Sequence, residues 1–413
     1  MHGKGATVSL SVRKIVSIEL IARSVRGIEY VVADEIAALA SIGLTLHARE
    51  VRFHIPQLGP GLSTLRTPDD VFLVVGSVGD VGNAKAVVPG LAKQATRWDW
   101  PRAVATVGQL RDLPARRRFD VVASLLGRRN YSRYDIEDAV GAVLSAGLGA
   151  QYVSRRPGAV EIQPVALTVR VFIGADTATF ALRLTGNPLH RRYYKQDASR
   201  GTLHPPMAAA LARILTASAG EVVVDPFCGD GTIPIEIAAL APGAVIRGSD
   251  RDPVRVRNAV ANSARAEAAV SFSVADAGRL DFADGTVDVL AANPPWNLMV
   301  DAAGLLGHGL DLFWEEADRV LSACGRMGVI KDAAIGAVDE LRKRGFAISL
   351  AQRVRLAGRV SDIVVCTPPG RPSWALPRGI AQWRQESIAA GLVTGTGFEA
   401  KAGASAYITE TAG

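Results

Sequence analysis

The fold is decided by the stretch VVVDPFCGDGT at residues 222–232. Its apolar start predicts a short buried β-strand that ends at Asp225, and the residues from Thr232 onward predict a helix. Gly229 and Gly231 lie in the turn between them, where glycine accepts a positive φ and lets the backbone approach a ligand. A strand, a glycine turn and a helix in this order are typical of the ligand-binding edge of an open α/β sheet.

Strands and helices alternate through the rest of the C-terminal half. Apolar runs and period-two patterns predict strands at 222–225, 244–250, 270–275, 287–292, 326–331, 346–356 and 360–367. Apolar spacings of three and four residues predict helices at 232–240, 253–265, 310–323 and 334–344. This alternation predicts a doubly wound, mostly parallel α/β sheet with an antiparallel pair at its end.

Two adenosine-type cofactors use such a glycine turn, and their charges distinguish them. A dinucleotide brings a pyrophosphate to the helix N-terminus, usually through G-x-G-x-x-G. Here Pro234 stands at the third glycine position, and Asp225 and Asp230 would place negative charge near the phosphates. S-adenosylmethionine carries no phosphate, and acidic side chains and carbonyls can receive its ammonium group. The turn therefore favours S-adenosylmethionine.

Two further carboxylates follow at strand ends. Asp250 ends the next predicted strand, where it can accept both ribose hydroxyls, and Asp276 ends the third, where it can meet the adenine amino group. Because the carboxyl ends of parallel strands share one sheet edge, the three carboxylates predict one cofactor site. The cofactor-binding residues predicted in this half are Asp225, Phe227, Cys228, Gly229, Gly231, Thr232, Asp250, Arg251, Asp276, Ala277 and Asn293.

The motif Asn293-Pro294-Pro295-Trp296 follows the fourth predicted strand, and we expect these four residues to be catalytic. The amino group of a nucleic-acid base is a poor nucleophile because its lone pair is delocalised into the ring. The Asn293 side-chain oxygen and the Pro294 carbonyl can accept its two N–H hydrogens, while Trp296 stacks on the base. The motif therefore predicts methylation of an exocyclic amine on a base that is unstacked from its helix.

Other chemistries fit these residues less well. Methylation at pyrimidine C5 requires a thiol near the fourth-strand motif, whereas Cys228 lies in the glycine turn, where we interpret it as a packed small residue. His190, His204 and His308 lack metal-ligand spacings, so no metal site is predicted. A nicotinamide-dependent oxidoreductase would leave Trp296 unexplained. A non-catalytic RNA-binding module would have no chemical reason to keep the Asn-Pro-Pro motif.

Composition and charge point to the partner. A chain of 413 residues predicts two or three domains. Widely spaced cysteines and the lack of an apolar run of roughly 20 residues lead us to expect a soluble, cytoplasmic protein. The net charge is +7, and residues 92–200 hold 18 Lys/Arg against 9 Asp/Glu, which favours a polyanionic partner. The candidate phosphate-binding residues are Arg116, Arg117, Arg118, Arg128, Arg129 and Arg133.

These motifs resemble those of a known family. The run Asp225–Thr232 is similar to the D-P-F-C-G-S-G-T motif of the THUMP-domain-containing RNA guanine-N2 methyltransferases, with Asp230 in place of serine. Leu184–Arg192 resembles their G-x-x-L-H-x-R linker segment, and Gly27–Glu29 resembles part of their N-terminal ferredoxin-like unit. The chain departs from the N-x-P-[YF]-G type of motif at Trp296-Asn297.

The resemblance implies a tRNA or another RNA as partner, gripped by the N-terminal domains, and guanosine N2 as the target. Ribosomal RNA guanine, adenine N6 and a small-molecule amine stay open as alternatives. It also adds His204 and Pro205 to the cofactor site, and we expect Arg191 and Arg192 of the linker to contact RNA. We expect a monomer with five parts: a ferredoxin-like α+β unit at 1–62, a THUMP-like RNA-binding domain at 63–185, a linker and cofactor-closing helix at 186–219, a Rossmann-like methyltransferase domain at 220–370, and a partly disordered extension at 371–413.

Overall fold

The computed structural model describes residues 17–158, 164–199, 201–295, 304–356 and 358–393. Two sheets organise this part of the chain. An eight-stranded sheet spans the N-terminal half, and a seven-stranded sheet spans the C-terminal half. No helix in the described residues combines the length and the apolar character that crossing a membrane requires.

The N-terminal sheet has the strand order β2-β3-β1-β4-β8-β7-β5-β6. The antiparallel pairing of β1 with β4 crosses the predicted boundary at residues 62 and 63, so both predicted N-terminal units contribute to one sheet. The domain limits themselves stay predictions. The elements are β1 (Ile18–Arg23), α1 (Glu29–Ala37), β2 (Ile42–His47), β3 (Glu50–Ile55), β4 (Asp70–Val78), α2 (Val87–Ala95), α3 (Trp100–Gly108), β5 (Arg118–Leu125), α4 (Arg133–Leu148), β6 (Gln151–Tyr152), β7 (Leu167–Ile173) and β8 (Ala178–Arg183).

The two faces of this sheet differ in composition. Side chains alternate between the faces of a strand, so Val171 of β7 joins the large core with Trp100 of α3, whereas Phe172 points to the opposite face. That opposite face carries a small apolar group that includes Phe72 and Phe172. Helices therefore cover one face of the N-terminal sheet, whereas the other face carries this small apolar group.

The C-terminal sheet has the order β11-β10-β9-β12-β13-β15-β14, in which β9 to β13 are parallel and β15 pairs antiparallel with β13 and β14. This confirms the predicted doubly wound α/β sheet with its antiparallel addition. The elements are α5 (Pro205–Leu215), β9 (Val222–Asp225), α6 (Thr232–Leu240), β10 (Val245–Asp250), α7 (Pro253–Arg265), β11 (Val270–Val274), β12 (Val287–Ala292), α8 (Asp311–Val320), β13 (Leu321–Asp332), α9 (Ala337–Lys343), β14 (Ala347–Leu356), β15 (Arg359–Thr367) and α10 (Arg378–Ala389).

One predicted helix is shorter than the sequence pattern indicated. The apolar spacing extended the helix at 310–323, but α8 ends at Val320 and β13 begins at Leu321. Leu321 is buried and lies opposite Val287 of the neighbouring β12. Strand pairing in the sheet therefore overrides the helical pattern at these residues.

The strand order of the C-terminal sheet shows which edge of the sheet is expected to bind a ligand. The chain runs outward from β9 through β10 to β11 and then crosses back to β12 on the other side of β9. Such a topological switch point opens a crevice at the carboxyl ends of the two central strands, where open α/β sheets bind ligands. The switch lies between β9, which ends at Asp225, and β12, which Asn293 follows.

Buried polar contacts join the two halves. Glu236 of α6 is fully buried and accepts hydrogen bonds from Arg66 Nε at 2.6 Å, Arg192 Nε at 2.9 Å and the Tyr194 hydroxyl at 2.8 Å. Arg192 was predicted to contact RNA, but its side chain is only 8% exposed and is held by this carboxylate. The structure therefore gives Arg192 a role in domain packing.

Candidate active site at the switch between β9 and β12

The turn after β9 requires its glycines. Gly229 and Gly231 have φ values of +52° and +87°, in the left-handed region that favours glycine. A Cβ atom on Gly231 would also lie 3.1 Å from Ala259 Cβ and 3.2 Å from Phe272 Cζ. We call residues 225–232 the cofactor turn.

Asp225 is a buried carboxyl group with an unused oxygen. Its side chain is 1% exposed, and its Oδ1 accepts a hydrogen bond from Phe227 N at 3.0 Å. Its Oδ2 has no hydrogen-bond partner among the described residues. Burial raises the pKa of Asp225 well above its usual value, and the nearby Asp250 raises it further. A cationic donor would form the missing hydrogen bond to Oδ2 and stabilise the ionised carboxylate. The ammonium group of S-adenosylmethionine can supply this donor.

The other two carboxylates of the predicted site accept hydrogen bonds from backbone N–H groups of neighbouring loops. Asp250 accepts hydrogen bonds from Gly229 N at 3.0 Å and from Asp252 N at 2.9 Å, which ties β10 to the cofactor turn. Asp276 accepts from Gly278 N at 2.9 Å and from Leu305 N at 3.0 Å. Because β9, β10 and β11 are adjacent and parallel, all three carboxylates follow the same edge of the sheet, as predicted from the strand ends.

Two further predicted cofactor residues lie beside Asp276. Arg251 and the Asp276 carboxylate both lie against Gly304, where a Cβ atom would collide with Asp276. Ala277 is 4% exposed and packs in the core with Leu306. Their assignment to the cofactor stays a prediction.

Asn293 presents a second unused acceptor at this edge. Its side-chain oxygen is buried and has no hydrogen-bond partner in the described part of the chain. Leu290 of β12 pairs with Val224 of β9, so Asp225 lies one residue and Asn293 three residues beyond this pair. Of the four predicted catalytic residues, Pro294 and Pro295 follow Asn293 directly, and Trp296 lies outside the described residues.

Cys228 and Thr232 complete the predicted cofactor turn. Cys228 is 6% exposed, and burial raises the pKa of its thiol well above the usual value, with a further contribution from Asp225. The group therefore stays a protonated thiol rather than a nucleophilic thiolate. The Thr232 hydroxyl oxygen is buried without a hydrogen-bond partner among the described residues.

Asp230 lies between the two glycines of the turn and is held by neighbouring segments. Its carboxylate is 1% exposed and accepts hydrogen bonds from Ser199 and Asn258. The Thr202 hydroxyl contacts the same carboxylate. The sequence did not indicate these partners, although the departure of Asp230 from the serine of the related motif was a visible signal.

His204 and Pro205 lie at the start of α5. Pro205 is buried at the first helical position, where its missing N–H costs no hydrogen bond. His204 precedes it, with Nε2 at 2.6 Å from Asp69 Oδ1 and its ring centroid at 5.4 Å from that of His190. The described contacts of His204 thus join α5 to the loop before β4, and its predicted role at the cofactor stays untested.

A groove of about 2030 Å³ lies on the face of the N-terminal sheet that carries Phe72 and Phe172, whose ring centroids are 5.5 Å apart. Among the described residues that line it, three are carboxylates and ten are arginines. We call it the arginine groove after these residues: Arg23, Arg26, Arg49, Arg52, Arg128, Arg129, Arg133, Arg170, Arg183 and Arg355.

Arg170 lies at the floor of the arginine groove. Its Cζ atom is 5.2 Å from the ring centroid of Phe172, and it donates a hydrogen bond to Ser124 Oγ at 2.8 Å. Its Nε atom has no hydrogen-bond partner within the described chain. Burial, together with the nearby Arg23 and Arg183, lowers its pKa to about 10. The floor therefore concentrates positive charge that an anion would stabilise.

The predicted RNA-binding arginines divide into several groups. Arg128 and Arg133 are exposed in the arginine groove, whereas Arg129 donates to backbone carbonyls that include those of Val81 and Ala175 and so fastens loops together. Arg191 is exposed in the linker. Arg116, Arg117 and Arg118 lie at or just before the start of β5, outside the set of groove-lining residues.

Sequence reasoning missed the arginines that strands bring to the groove. Arg23 comes from β1, whereas Arg170 and Arg183 come from the consecutive strands β7 and β8, much later in the chain. The available signal was an arginine at an alternate position within an apolar strand, as in LTVRVFI of β7.

In the described residues, no group of three or more histidine, cysteine, aspartate or glutamate side chains could hold a metal ion.

Known proteins share both the sequence and this architecture. A family model described as UPF0020, RMKL-like, methyltransferase domain, matches residues 192–362. The tRNA (guanine(6)-N2)-methyltransferase of Thermus thermophilus is 30% identical over 294 residues, which are 70% of this chain and 81% of that protein.

Solved structures match over most of the chain. The crystal structure of TrmN from Thermus thermophilus has a TM-score of 0.68 and 26% identity, and the match covers 85% of this chain and 99% of that chain. A possible methylase from Clostridium difficile shares the fold, with a TM-score of 0.65, 20% identity and coverage of 88% and 100%. The chain thus belongs to the UPF0020 family of RMKL-like methyltransferases, and its cofactor is S-adenosylmethionine.

Proposed function

We propose that this methyltransferase modifies the exocyclic N2 amine of a guanosine in RNA, and that the RNA is a tRNA. The observation that carries the proposal is the buried Asn293 oxygen, which has no hydrogen-bond partner among the described residues and follows the strand next to that of the cofactor turn. An amino group that enters this site supplies the N–H donor that the oxygen lacks. The Thermus relative, which is named for guanine N2 in tRNA, supports the choice of base and of RNA.

The described residues orient the amine for transfer. The Asn293 oxygen and the Pro294 carbonyl accept its two N–H hydrogens, which directs the nitrogen lone pair toward the cofactor turn. Pro294 and Pro295 restrict the backbone that carries these acceptors. Bound S-adenosylmethionine supplies an electrophilic methyl group on its sulfonium. Since the alkylated amine loses a proton readily, no strong base has to act before transfer, and pre-organised acceptors are sufficient.

The cofactor would be held by the three carboxylates at the sheet edge. Asp225 Oδ2 receives the ammonium group, Asp250 accepts the ribose hydroxyls, and Asp276 accepts the adenine amino group. The positive φ angles of Gly229 and Gly231 bring the backbone close to the ligand. Stacking of the target base on Trp296 stays a prediction from the sequence.

The arginine groove would hold the RNA backbone. Arginine contacts to phosphate supply affinity that does not depend on base sequence, and the Phe72 and Phe172 rings offer an apolar floor between the cations. The groove also includes Arg355 of β14, so it reaches from the N-terminal half to the methyltransferase sheet. Monomeric state and cytoplasmic location stay predictions.

The test is nucleoside mass spectrometry of RNA methylated in vitro. We expect N2-methylguanosine in tRNA with the wild-type protein, and Asn293→Ala should lower turnover by about 100-fold or more while it retains S-adenosylmethionine binding. Loss of cofactor binding in this variant would show that Asn293 has a different role.

Other products would redirect the assignment. N6-methyladenosine would move the target to adenine, and N2-methylguanosine in ribosomal RNA alone would change the RNA. Cofactor binding without a product in any RNA fraction would contradict the proposal and favour a small-molecule amine as substrate.

A further inference from the structure

A short segment before α5 lies against the cofactor turn. We call residues 197–199 and 201–203 the strap. Asp230, between the two glycines of the turn, accepts hydrogen bonds from Ser199 N at 2.7 Å and Ser199 Oγ at 2.9 Å. The Thr202 hydroxyl contacts the same carboxylate. One buried side chain of the cofactor turn therefore binds the strap at two residues.

The helix α7 holds the same assembly from the other side. Asn258 Nδ2 donates to Asp230 at 3.0 Å. Asn262, which is fully buried, donates to the backbone oxygens of Asp230 at 3.0 Å and Asp197 at 2.9 Å. Arg265 forms an ion pair with Asp197 at 2.8 Å. The strap, the cofactor turn and α7 thus form one hydrogen-bonded unit.

The charge of Asp230 makes these contacts strong. Burial opposes its ionisation, but the hydrogen bonds from Thr202, Ser199 and Asn258 outweigh burial and lower its pKa below the usual value. Hydrogen bonds to an ionised acceptor are roughly twice as strong as those between neutral groups. The serine found at this position in the related motif has two lone pairs and no charge, so it could not accept four such contacts.

We propose that Asp230 is a positioning residue that holds the strap against the cofactor turn and thereby sets how long S-adenosylmethionine stays bound. Gly229 and Gly231, on either side of Asp230, are the residues whose backbone approaches the cofactor. A strap fixed at Asp230 keeps these glycines in place and limits access to the turn from the α5 side. The inference depends on the cofactor and is independent of which base is methylated.

The first test compares cofactor binding by the full chain and its variants. Asp230→Asn keeps the size of the side chain, removes the charge, and places an NH2 donor where an oxygen accepts from an N–H group, which is Ser199 N at Oδ2 or Asn258 Nδ2 at Oδ1. We expect the Kd of S-adenosylmethionine and of S-adenosylhomocysteine to rise about tenfold by calorimetry, through faster dissociation. The KM for the cofactor should rise while kcat at saturating cofactor is retained.

The matched control is Asp252→Asn. Asp252 caps α7 at the same sheet edge, its side chain is 46% exposed, and asparagine is an equally good cap. This variant makes the same chemical change near the turn without touching the strap, so its cofactor Kd should stay at the wild-type value. An equal rise in Kd for both variants would assign the effect to the loss of charge at this edge and contradict the role of the strap.

Hydrogen–deuterium exchange gives a readout that does not use activity. The Ser199 amide should exchange slowly in the wild-type protein and faster in Asp230→Asn, while the amides of β9 stay protected.

If Asp230→Asn does not fold, Thr202→Val removes a strap contact from the other side and should also raise the cofactor Kd. A folded Asp230→Asn with wild-type exchange at Ser199 and wild-type cofactor Kd would overturn the proposal. A wild-type protein that binds the cofactor but forms no N2-methylguanosine would contradict the proposed function alone.

Discussion

At the scale of single residues, the buried side-chain oxygens of Asp225 and Asn293 define the chemistry. Asp225 Oδ2 and Asn293 Oδ1 lie at the carboxyl ends of neighbouring strands, and each lacks a hydrogen-bond donor among the described residues. An unsatisfied buried polar group costs about 1–3 kcal/mol of folding free energy. A cofactor and a substrate that each supply an N–H donor recover this cost, so the same feature that lowers stability favours binding of an ammonium group at Asp225 and an amine at Asn293.

The pKa of Asp225 leads to a prediction on proton release. Burial keeps its carboxyl protonated to a higher pH in the free protein, whereas a bound ammonium group at Oδ2 favours the ionised form. Cofactor binding should therefore release protons and weaken as the pH falls through the raised pKa. Calorimetry in buffers of different ionisation enthalpy measures this release, and Asp225→Asn should abolish it. Equal heats in all buffers and a cofactor Kd that does not vary with pH would rule out this contact.

The same group affects stability without the cofactor. Because the pKa of Asp225 is higher in the folded than in the unfolded chain, its favourable contribution is present at acidic pH and is lost as the pH rises through the folded value. The cofactor-free Asp225→Asn variant should therefore gain stability over the wild type at neutral pH and lose that advantage in acid.

At the scale of elements, the linker before α5 contains neighbouring arginines with different environments. Arg192 is held by Glu236 of α6, which also binds Arg66 of the N-terminal half, whereas Arg191 is exposed. Removal of one partner from a buried ion pair leaves a charge without full compensation, which is more costly than loss of a surface charge. Arg192 therefore joins the linker to α6, whereas Arg191 is exposed and can contact RNA.

Alanine substitutions should separate these two roles. Arg192→Ala should lower the free energy of unfolding by about 3 kcal/mol, measured by urea denaturation. Arg191→Ala should change the free energy of unfolding by less than about 0.5 kcal/mol and weaken tRNA binding in a filter assay. Wild-type stability of Arg192→Ala together with weaker RNA binding would return Arg192 to the RNA-contacting set.

At the scale of the whole molecule, the structure collects the basic charge of distant segments into the arginine groove. Its lining runs from β1 through β7 and β8 to Arg355 of β14. Burial lowers the pKa of Arg170, and repulsion from the close cations Arg23 and Arg183 adds to this shift. A polyanion in the groove would offset the repulsion, so the arrangement favours binding of an RNA backbone.

Salt dependence tests the groove. The logarithm of the tRNA binding constant should fall linearly with the logarithm of the salt concentration, because bound phosphates release counterions. Arg128→Ala and Arg133→Ala should each reduce the slope by about 1. Arg257→Ala, which removes an exposed arginine on α7, is the control and should leave the slope unchanged. An unchanged slope in the groove variants would place the RNA on another surface.

Local patterns determined the cofactor half of this protein. The bounds of β9, β12 and α7 agree with the sequence prediction, because a strand, a turn and a helix are each specified by neighbouring residues. The positions of Asp225 and Asn293 at strand ends follow from the same patterns. Once the sheet is parallel, strand ends meet at one edge, so the sequence alone predicted that Asp225 and Asn293 follow strands at the same edge of the sheet.

Tertiary structure decided the contacts between residues that are distant in the chain. The partners of Asp230 and Glu236, and the assembly of Arg23, Arg170 and Arg183 on one sheet face, depend on which strands pair and how segments pack. A sequence shows that an arginine alternates with apolar residues, but it does not show which other strands place their arginines beside it. The cofactor chemistry is therefore encoded locally, whereas the groove, the strap and the joint between the two halves arise only from long-range packing.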